Sequence, residues 1–182
     1  MNINNKFIRF NLYVLLLFSN SRVKCWIYRK IFKMEIGDNC RFTGMPNFGS
    51  EPYLIKIGTN VTITQNVRFI NHDGAVHVLR KKYPGLNVFQ PITVGDNVFF
   101  GTNTIILPGV TIGNNVVIGA NSIVNKSILD NVVAAGVPAK KLKSIEEYEN
   151  NIVGSNFIIL KKMNFKNKKR TILESLKNKA II

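Results

Sequence analysis

A strict six-residue period in the middle of the chain constrains its fold more than any other feature. Residues 94–129 divide into six consecutive hexapeptides, which begin with Val, Phe, Ile, Ile, Ile and Val and continue with Gly in four cases. Similar hexapeptides occur at 36–41 and 57–68. Gly and Asn weaken helix interiors, and a plain strand needs no turn every six residues. The period therefore predicts an all-β solenoid: short strands around a column of Ile and Val, with left-handed or tight turns at the Gly and Asn positions.

The period is interrupted once, between the hexapeptide that begins at Phe69 and the one that begins at Val94. The segment 71–90 therefore leaves the coil as a loop, and it contains both histidines of the chain, His72 and His77. Loops of this length in compact folds are usually functional or disordered. The apolar and aromatic residues of this loop argue against disorder.

The hexapeptides resemble the left-handed parallel β-helix of the hexapeptide-repeat acyltransferases over residues 35–143. Residues 91–143 are similar to the sugar O-acetyltransferase branch, which includes the galactoside and maltose acetyltransferases. The element FINHDGAVHVLR is most similar to the enzymes of capsule and lipopolysaccharide synthesis. The resemblance implies transfer of an acetyl group from acetyl-CoA to a sugar hydroxyl, without a metal, by a cytoplasmic homotrimer with active sites between subunits. N-acetylation of a nucleotide-linked amino sugar and a non-catalytic repeat scaffold remain open alternatives.

Acetyl transfer to a hydroxyl needs a base that takes up the proton of the alcohol, and neutral imidazole suits this role. His72 follows directly on a coil, so a rigid scaffold can hold it. The resemblance places His72 at the position of the family's general base. Asn71, Asp73 and His77 are the neighbouring candidates for contact with the acceptor. Neither cysteine nor any serine lies in a recognisable nucleophile setting, so we expect direct attack rather than a covalent acetyl-enzyme.

Coenzyme A has a thin pantetheine arm and several phosphates, and small residues and cations would accommodate these groups. Gly101-Thr102 and Gly119-Ala120 offer small residues, and Lys126, Lys140, Lys141 and Lys143 offer cations. The resemblance implies that six of these and neighbouring residues contact coenzyme A: Thr102, Ala120, Asn125, Lys126, Lys140 and Lys143. Asn125 replaces a frequent Thr of the family, and Lys replaces Arg at the last basic positions, which removes a bidentate phosphate contact. Phe99 stands where many relatives have Trp, and we expect it to pack.

The net charge of +15 is concentrated at the two ends of the chain. Residues 1–34 carry seven Lys and Arg and no acid, and residues 144–182 are also basic. We predict an N-terminal helical segment (1–34), the β-helix (35–143) and a basic helical tail (144–182). The ends are expected to pack on the protein or to touch an anionic membrane surface; nucleic acid is not an expected partner.

Two predictions concern the faces of the N-terminal helices, and two concern helix starts in the tail. The first helix should bury Ile3, Phe7, Phe10, Val14 and Leu17, and the second should bury Val23, Trp26, Ile27 and Ile31. Capping boxes predict helices that begin after Ser144 and at Thr171.

Cysteine and histidine numbers limit the chemistry. Cys25 and Cys40 are too few for a disulfide framework, and we expect buried thiols. Two histidines cannot supply the three zinc ligands of the β-helical carbonic anhydrases, so that enzyme class is excluded.

Overall fold

The computed structural model describes residues 6–153, 158, 160 and 164–179. Among these residues there are four helices, two short 3-10 turns and thirteen strands. The helices are α1 (Lys6–Phe18), α2 (Ser21–Lys30), α3 (Ile145–Val153) and α4 (Phe165–Lys179), and the 3-10 turns are Pro52–Leu54 and Gly74–Leu79. The strands are β1 (Glu35–Ile36), β2 (Arg41–Phe42), β3 (Ile55–Ile57), β4 (Thr62–Ile63), β5 (Arg68–Phe69), β6 (Ile92–Val94), β7 (Val98–Phe100), β8 (Ile105–Ile106), β9 (Thr111–Ile112), β10 (Val116–Ile118), β11 (Ile123–Val124), β12 (Val132–Gly136) and β13 (Ala139–Ser144).

The strands form three sheets, one on each side of a triangular coil. The first sheet contains β1, β3, β6 and β9, and the smallest contains β5, β8 and β11. The largest contains β2, β4, β7, β10 and β12, all parallel, and ends with the antiparallel strand β13. Facing residues on adjacent coils are 18 positions apart in the regular part and 37 apart across the loop. The predicted left-handed parallel β-helix is confirmed, with the loop as an insertion in one coil.

The interior of the coil is the apolar column that the period predicts. The first residue of each hexapeptide between 94 and 129 is at most 2% exposed. Each such side chain stabilises the fold by about 1.5–3 kcal/mol relative to an exposed position. Phe69 and Phe100 stack edge to face across two coils, with ring centroids 5.6 Å apart. This packing holds the coil rigid at the point where the loop leaves it.

Asn supplies the left-handed backbone at most of the repeated turns, and Gly109, with φ 77°, supplies it at one of them. Eight Asn residues at these turns have φ between 54° and 62°. Their side chains hydrogen-bond from coil to coil, as where Asn60 Nδ2 donates to Asn97 Oδ1 at 2.8 Å. The Gly residues at the second position of the repeat serve a different purpose, because a Cβ on Gly101 would lie 2.4 Å from the main-chain nitrogen of Ala120. They are required for the close approach of coils.

Helix α2 covers the N-terminal end of the coil and supplies donors to carbonyl groups of the first coil. Lys24 Nζ donates to the carbonyl of Gly44 at 2.9 Å, and Arg29 Nε donates to that of Ile36 at 2.7 Å. Burial lowers the pKa of Lys24, whose side chain is almost fully enclosed. Two of the N-terminal cations are therefore part of the fold.

The predicted buried face of α1 is wrong for its C-terminal half. Leu12 and Leu16 are buried against the protein, whereas Leu17 is 45% exposed. Every residue from Leu12 to Phe18 is apolar, so periodicity could not select a stripe in this half. The prediction for Ile3 lies outside the described residues, and the predictions for the side chains of Phe7 and Phe10 do so as well.

The predicted face of α2 is wrong for Val23 and Trp26, which are 38% and 57% exposed. It is right for Ile27, which is buried, and Ile31, just after the helix, packs partly buried against the core. Lys24 and Tyr28 are buried instead. The hydrogen bond from Lys24 to the first coil turns this side of the helix inward, and a pattern of apolar residues does not register such a contact.

The C-terminal end of the coil is a hairpin that the period does not predict. β12 pairs in parallel with β10, and β13 then returns antiparallel to β12. The last coil is two residues shorter, because Asn115 and Asn131 face each other across 16 positions. β13 covers the edge that the last coil would otherwise expose.

The compact unit that contains the coil ends at Ile145, and a second unit begins at Glu146. The helix predicted after Ser144 is confirmed as α3. The predicted helix start at Thr171 is wrong, because α4 begins at Phe165 and Asn164 caps it. Asn164 Oδ1 accepts a hydrogen bond from the Asn167 main-chain N–H at 2.9 Å.

Candidate active site

The loop between β5 and β6 has an ordered base. Its two ends run antiparallel: the Asp73 N–H donates to the Val88 carbonyl, and the Gln90 N–H donates to the Asn71 carbonyl, both at 2.9 Å. His72 lies between these bonds, opposite Phe89. The loop therefore fixes the main chain of His72 relative to the coil.

The His72 ring faces a carboxylate that the sequence analysis did not identify. His72 Nδ1 lies 3.4 Å from Glu51 Oε2, and the two side chains are 44% and 18% exposed. Nδ1 itself is buried and has no aligned hydrogen bond among the described residues, so the contact with Glu51 is one of distance alone. Ser50 Oγ donates to the same carboxylate oxygen at 2.7 Å. The exposed part of the ring is therefore the side of Nε2.

Asn71 supports Glu51 from inside the protein. The Asn71 side chain is fully buried, and its Nδ2 donates to the main-chain carbonyl of Glu51. Asn71 thus acts on the site through the Glu51 segment rather than through exposed atoms. The signal for Glu51 is absent from the sequence, because Glu51 lies in a short insertion of the preceding coil with no motif around it.

The other two acceptor candidates lie on the loop. Asp73 is exposed, and its Oδ1 accepts a hydrogen bond from the Ala75 N–H at 2.8 Å, which caps the 3-10 turn that follows. Asp73 therefore does not orient His72. His77 lies exposed on that same turn, five residues from His72. The loop also exposes Val78 and Tyr83, which are 79% and 50% accessible.

The predicted coenzyme A residues fall on two edges of the triangular coil, which run along the two ends of the strands of the smallest sheet. Asn125 and Lys126 follow β11, at the same edge as His72, which follows β5. Gly101-Thr102 precedes β8 and Gly119-Ala120 precedes β11, so both pairs lie at the opposite edge. A few residues of extended chain separate the edges, on the order of 15 Å. Within one chain, Lys126 therefore lies on the same edge as His72, whereas the small residues lie on the other edge.

The basic strand β13 continues the edge that carries the small residues. Lys140 pairs with Ala135, and a Cβ on Gly119 would lie 2.7 Å from the Ala135 Cβ. Gly101, Gly119, Ala135 and Lys140 therefore follow one another along this edge. Lys141 and Lys143 pair with Ala134 and Val133 on the same strand. Thr102, Ala120 and Lys140 are exposed on this edge. The residues named along it have no bulky side chain that would block a ligand. They therefore fit a thin chain that ends in phosphates.

His72 does not line any of three cavities around the coil. Cavities of about 430 and 500 Å³ lie at the N-terminal end of the coil, and a third, of about 250 Å³, lies around Phe99. Phe99 is 42% exposed on the outer face of the largest sheet, so it does not pack in the core. His72 lies instead on an open edge.

Cys25 is buried as predicted, whereas Cys40 is only partly buried. Burial raises the pKa of Cys25 to about 11 and also raises the pKa of Cys40, so neither is an activated nucleophile. Residues 6–153 and the described parts of the tail contain no group of three His, Cys, Asp or Glu that could hold a metal ion.

Comparison with known proteins identifies the family. Residues 91–126 match the family described as hexapeptide repeat of succinyl-transferase. The chain is 55% identical over 146 residues to protein CapG of Staphylococcus aureus, covering 79% of this chain and 84% of CapG. It is 31% identical over 129 residues to the putative acetyltransferase YvoF of Bacillus subtilis, covering 70% of each. The solved structure of a galactoside acetyltransferase in complex with coenzyme A is similar with a TM-score of 0.57 and 30% identity, covering 84% of this chain and 86% of that one. The chain therefore belongs to the hexapeptide-repeat acyltransferases, and it is an acetyltransferase that uses acetyl-CoA.

Proposed function

We propose that this acetyltransferase acetylates a sugar hydroxyl during surface-polysaccharide synthesis in the cytoplasm, with His72 as the general base. The observation that carries the proposal is the Glu51–His72 contact, in which a carboxylate faces the buried Nδ1 while the ring remains partly exposed. Similarity to a galactoside acetyltransferase supports a sugar as the acceptor. The loop element FINHDGAVHVLR supports the narrower class of surface polysaccharides.

The contact with Glu51 determines which nitrogen can act as the base. A carboxylate facing Nδ1 favours the tautomer with the proton on Nδ1, and Nε2 then keeps its lone pair. Acetyl-CoA supplies the acetyl group as a thioester. As the sugar oxygen bonds to the carbonyl carbon, its proton passes to His72 Nε2. When the carbon–sulfur bond breaks, His72 returns this proton to the departing thiolate, and the residue is ready for another turnover.

Main-chain N–H groups near the reacting carbonyl are proposed as donors to the transient oxyanion. Glu51 contributes without touching the substrate: its carboxylate holds the ring and stabilises the imidazolium that forms during attack. Asn71 holds Glu51 in turn through the hydrogen bond to its carbonyl. Asp73 and His77 are proposed to line the acceptor side of the loop, since both are exposed beside His72.

Thr102, Ala120 and Lys140 are proposed to bind coenzyme A along one edge, with Gly101 and Gly119 allowing the coils to approach. Lys141 and Lys143 add positive charge on the same strand for the phosphates. Asn125 and Lys126 are proposed to act from the other edge, where His72 lies. This division supports a homotrimer in which the His72 edge of one subunit meets the small-residue edge of its neighbour. The exposed apolar residues of the loop, Val78 and Tyr83, support burial by a neighbouring subunit.

Mixed assemblies test this arrangement. His72→Ala and Thr102→Trp subunits are each expected to be inactive alone, and light scattering should give about three times the 20.5 kDa chain mass. Unfolding and reassembly of an equal mixture would place an intact His72 edge against an intact Thr102 edge at about one interface in four. Recovery of about a quarter of wild-type activity supports a shared site. No recovery from correctly assembled mixed trimers would contradict it.

The proposed reaction is tested by incubating acetyl-CoA with nucleotide sugars and polysaccharide fragments, and measuring the release of free thiol. We expect transfer to a hydroxyl, identified by mass spectrometry and by lability of the product ester to mild base. A base-stable amide product would instead establish N-acetylation. Calorimetry with acetyl-CoA tests the alternative of a non-catalytic scaffold, because a scaffold would not bind acetyl-CoA.

A further inference from the structure

The C-terminal half of helix α1, from Leu12 to Phe18, is apolar on all sides, yet the protein covers only one stripe of it. Leu12 and Leu16 are buried, whereas Tyr13, Leu15 and Phe18 are 54%, 51% and 88% exposed. A helix that is apolar all round is normally enclosed on all sides. A large part of this surface therefore lacks a cover within the described chain.

Helix α2 begins three residues after the end of α1, and its exposed side adds cations. Its outward positions include Arg22, Val23, Trp26 and Lys30, which recur at helical spacing. Trp26 is 57% exposed between two basic residues. Trp flanked by cations is typical of the interface between water and a lipid bilayer, where the ring lies at the level of the headgroups.

The charge around this surface has one sign. Residues 1–34 contain no Asp or Glu. The nearest acids along the chain are already paired, because Glu35 lies 3.0 Å from Lys56 and Asp38 lies 3.2 Å from Arg29. The complementary partner is therefore anionic as well as able to accept exposed aromatic side chains.

We propose that this α1–α2 face docks on the surface of an anionic lipid bilayer. The face is defined by five exposed residues: Leu15, Phe18, Arg22, Trp26 and Lys30. Anionic headgroups attract the cations, and the aromatic and aliphatic side chains enter the headgroup boundary. None of the helices in the described part of the chain is long and apolar enough to cross a membrane, so the contact is peripheral.

A second copy of the chain fits this face less well than a lipid surface does. Pairing of the α1–α2 face with itself would bring Arg22 and Lys30 of one copy against the same cations of the other. Like charges across an interface oppose association. Anionic headgroups neutralise the same residues, and the docking does not depend on the proposed acetyl transfer.

Trp26 is the single tryptophan of the chain, so its fluorescence reports directly on the face. The full-length protein is titrated with vesicles of phosphatidylcholine containing phosphatidylglycerol, and with vesicles of phosphatidylcholine alone. We expect co-sedimentation and a blue shift of Trp26 emission only with the anionic vesicles, with weaker binding at higher salt. Co-sedimentation without any change in Trp26 emission would overturn the proposal, as would absence of binding.

A double variant and a matched control locate the contact. Phe18→Ser with Trp26→Ser should weaken binding to anionic vesicles about tenfold or more, because both side chains contribute to insertion. Leu129→Ser removes an equally exposed apolar side chain at the other end of the coil and should bind as the wild type does. Equal binding by the double variant would assign the contact to another basic region, such as α4, and would overturn the proposal. A change of oligomeric state in the double variant, seen by light scattering, would identify a second copy as the occupant and would also overturn it.

Discussion

Substitution of Gly101 by Ala tests how closely the coils stack at the proposed coenzyme A edge. The added Cβ would lie 2.4 Å from the Ala120 nitrogen and 2.7 Å from the Ala120 Cα, and both are main-chain atoms. The neighbouring coil can only make room by moving as a unit, which would stretch the hydrogen bond from the Gly101 N–H to the Ile118 carbonyl, now 2.8 Å. Overpacking of this kind costs about 1–3 kcal/mol, and we expect the upper end because no flexible side chain can yield.

Two other glycines separate this steric effect from the general effect of replacing Gly. Gly74 has open space around its Cβ position, so Gly74→Ala should change stability little or raise it by up to about 1 kcal/mol, through the unfolded chain. Gly85 also has open space but adopts φ +79°. Its replacement by Ala costs about 1–2 kcal/mol of backbone strain, partly offset by the same unfolded-chain effect.

Urea unfolding at one fixed protein concentration, followed by circular dichroism, gives the free energy of unfolding of each variant. We expect Gly74→Ala to be the most stable variant, Gly85→Ala to be intermediate and Gly101→Ala to be the least stable. If Gly101→Ala unfolds at the same urea concentration as Gly74→Ala, the close approach of the coils at this edge is refuted.

Three further predictions concern single side chains. Asn97→Ala should lower the free energy of unfolding by about 2 kcal/mol, since it removes two hydrogen bonds between Asn side chains of adjacent coils and leaves a strained φ of 56°. Asn97→Gly should lower it less, because Gly adopts this φ without strain. Equal losses of the two variants in urea unfolding would count against the left-handed turn. Asn164→Ala should weaken the start of α4 by about 1 kcal/mol, seen as faster hydrogen exchange of its first turn, and unchanged exchange would contradict the cap. Burial raises the pKa of Cys25 from 9.0 to about 11. Cys25 should therefore react with an aromatic disulfide reagent roughly 100-fold more slowly in the native protein than after unfolding. Comparable rates would show that Cys25 is not buried.

The coil could be predicted because its information is local and repeated. Each hexapeptide carries its own inward residue and its own turn, so the first residue of each block from Val94 to Val124 reads as core without knowledge of the rest. The insertion was visible for the same reason, since 71–90 breaks a period that holds on both sides. The period could not distinguish the turn role of Asn at the fourth position from the packing role of Gly at the second, because both residue types avoid helix interiors and each recurs in four of the six blocks.

Contacts between distant segments could not be predicted. Glu51 lies in a short insertion of one coil, and His72 lies at the base of the loop that leaves the next coil. The two residues meet only because these two segments are neighbours in the fold, and neither segment carries the period. The antiparallel return of β13 also lacks a local signal. For α1, the continuous apolar run from Leu12 to Phe18 offers several equivalent stripes, and only the shape of the coil surface selects one.

A double-mutant cycle on His72 and Glu51 tests the central claim most directly. With acetyl-CoA binding verified by calorimetry, His72→Ala should lower kcat by about 10²- to 10⁴-fold, and Glu51→Gln should lower it by a smaller factor, about 10- to 100-fold. Glu35→Gln, which changes an exposed carboxylate paired with Lys56, is the matched control and should leave kcat unchanged. Because Glu51 is proposed to act only through the imidazole, adding Glu51→Gln to His72→Ala should cause no further loss. Losses that multiply in the double variant, or a His72→Ala enzyme with wild-type kcat, would contradict the account.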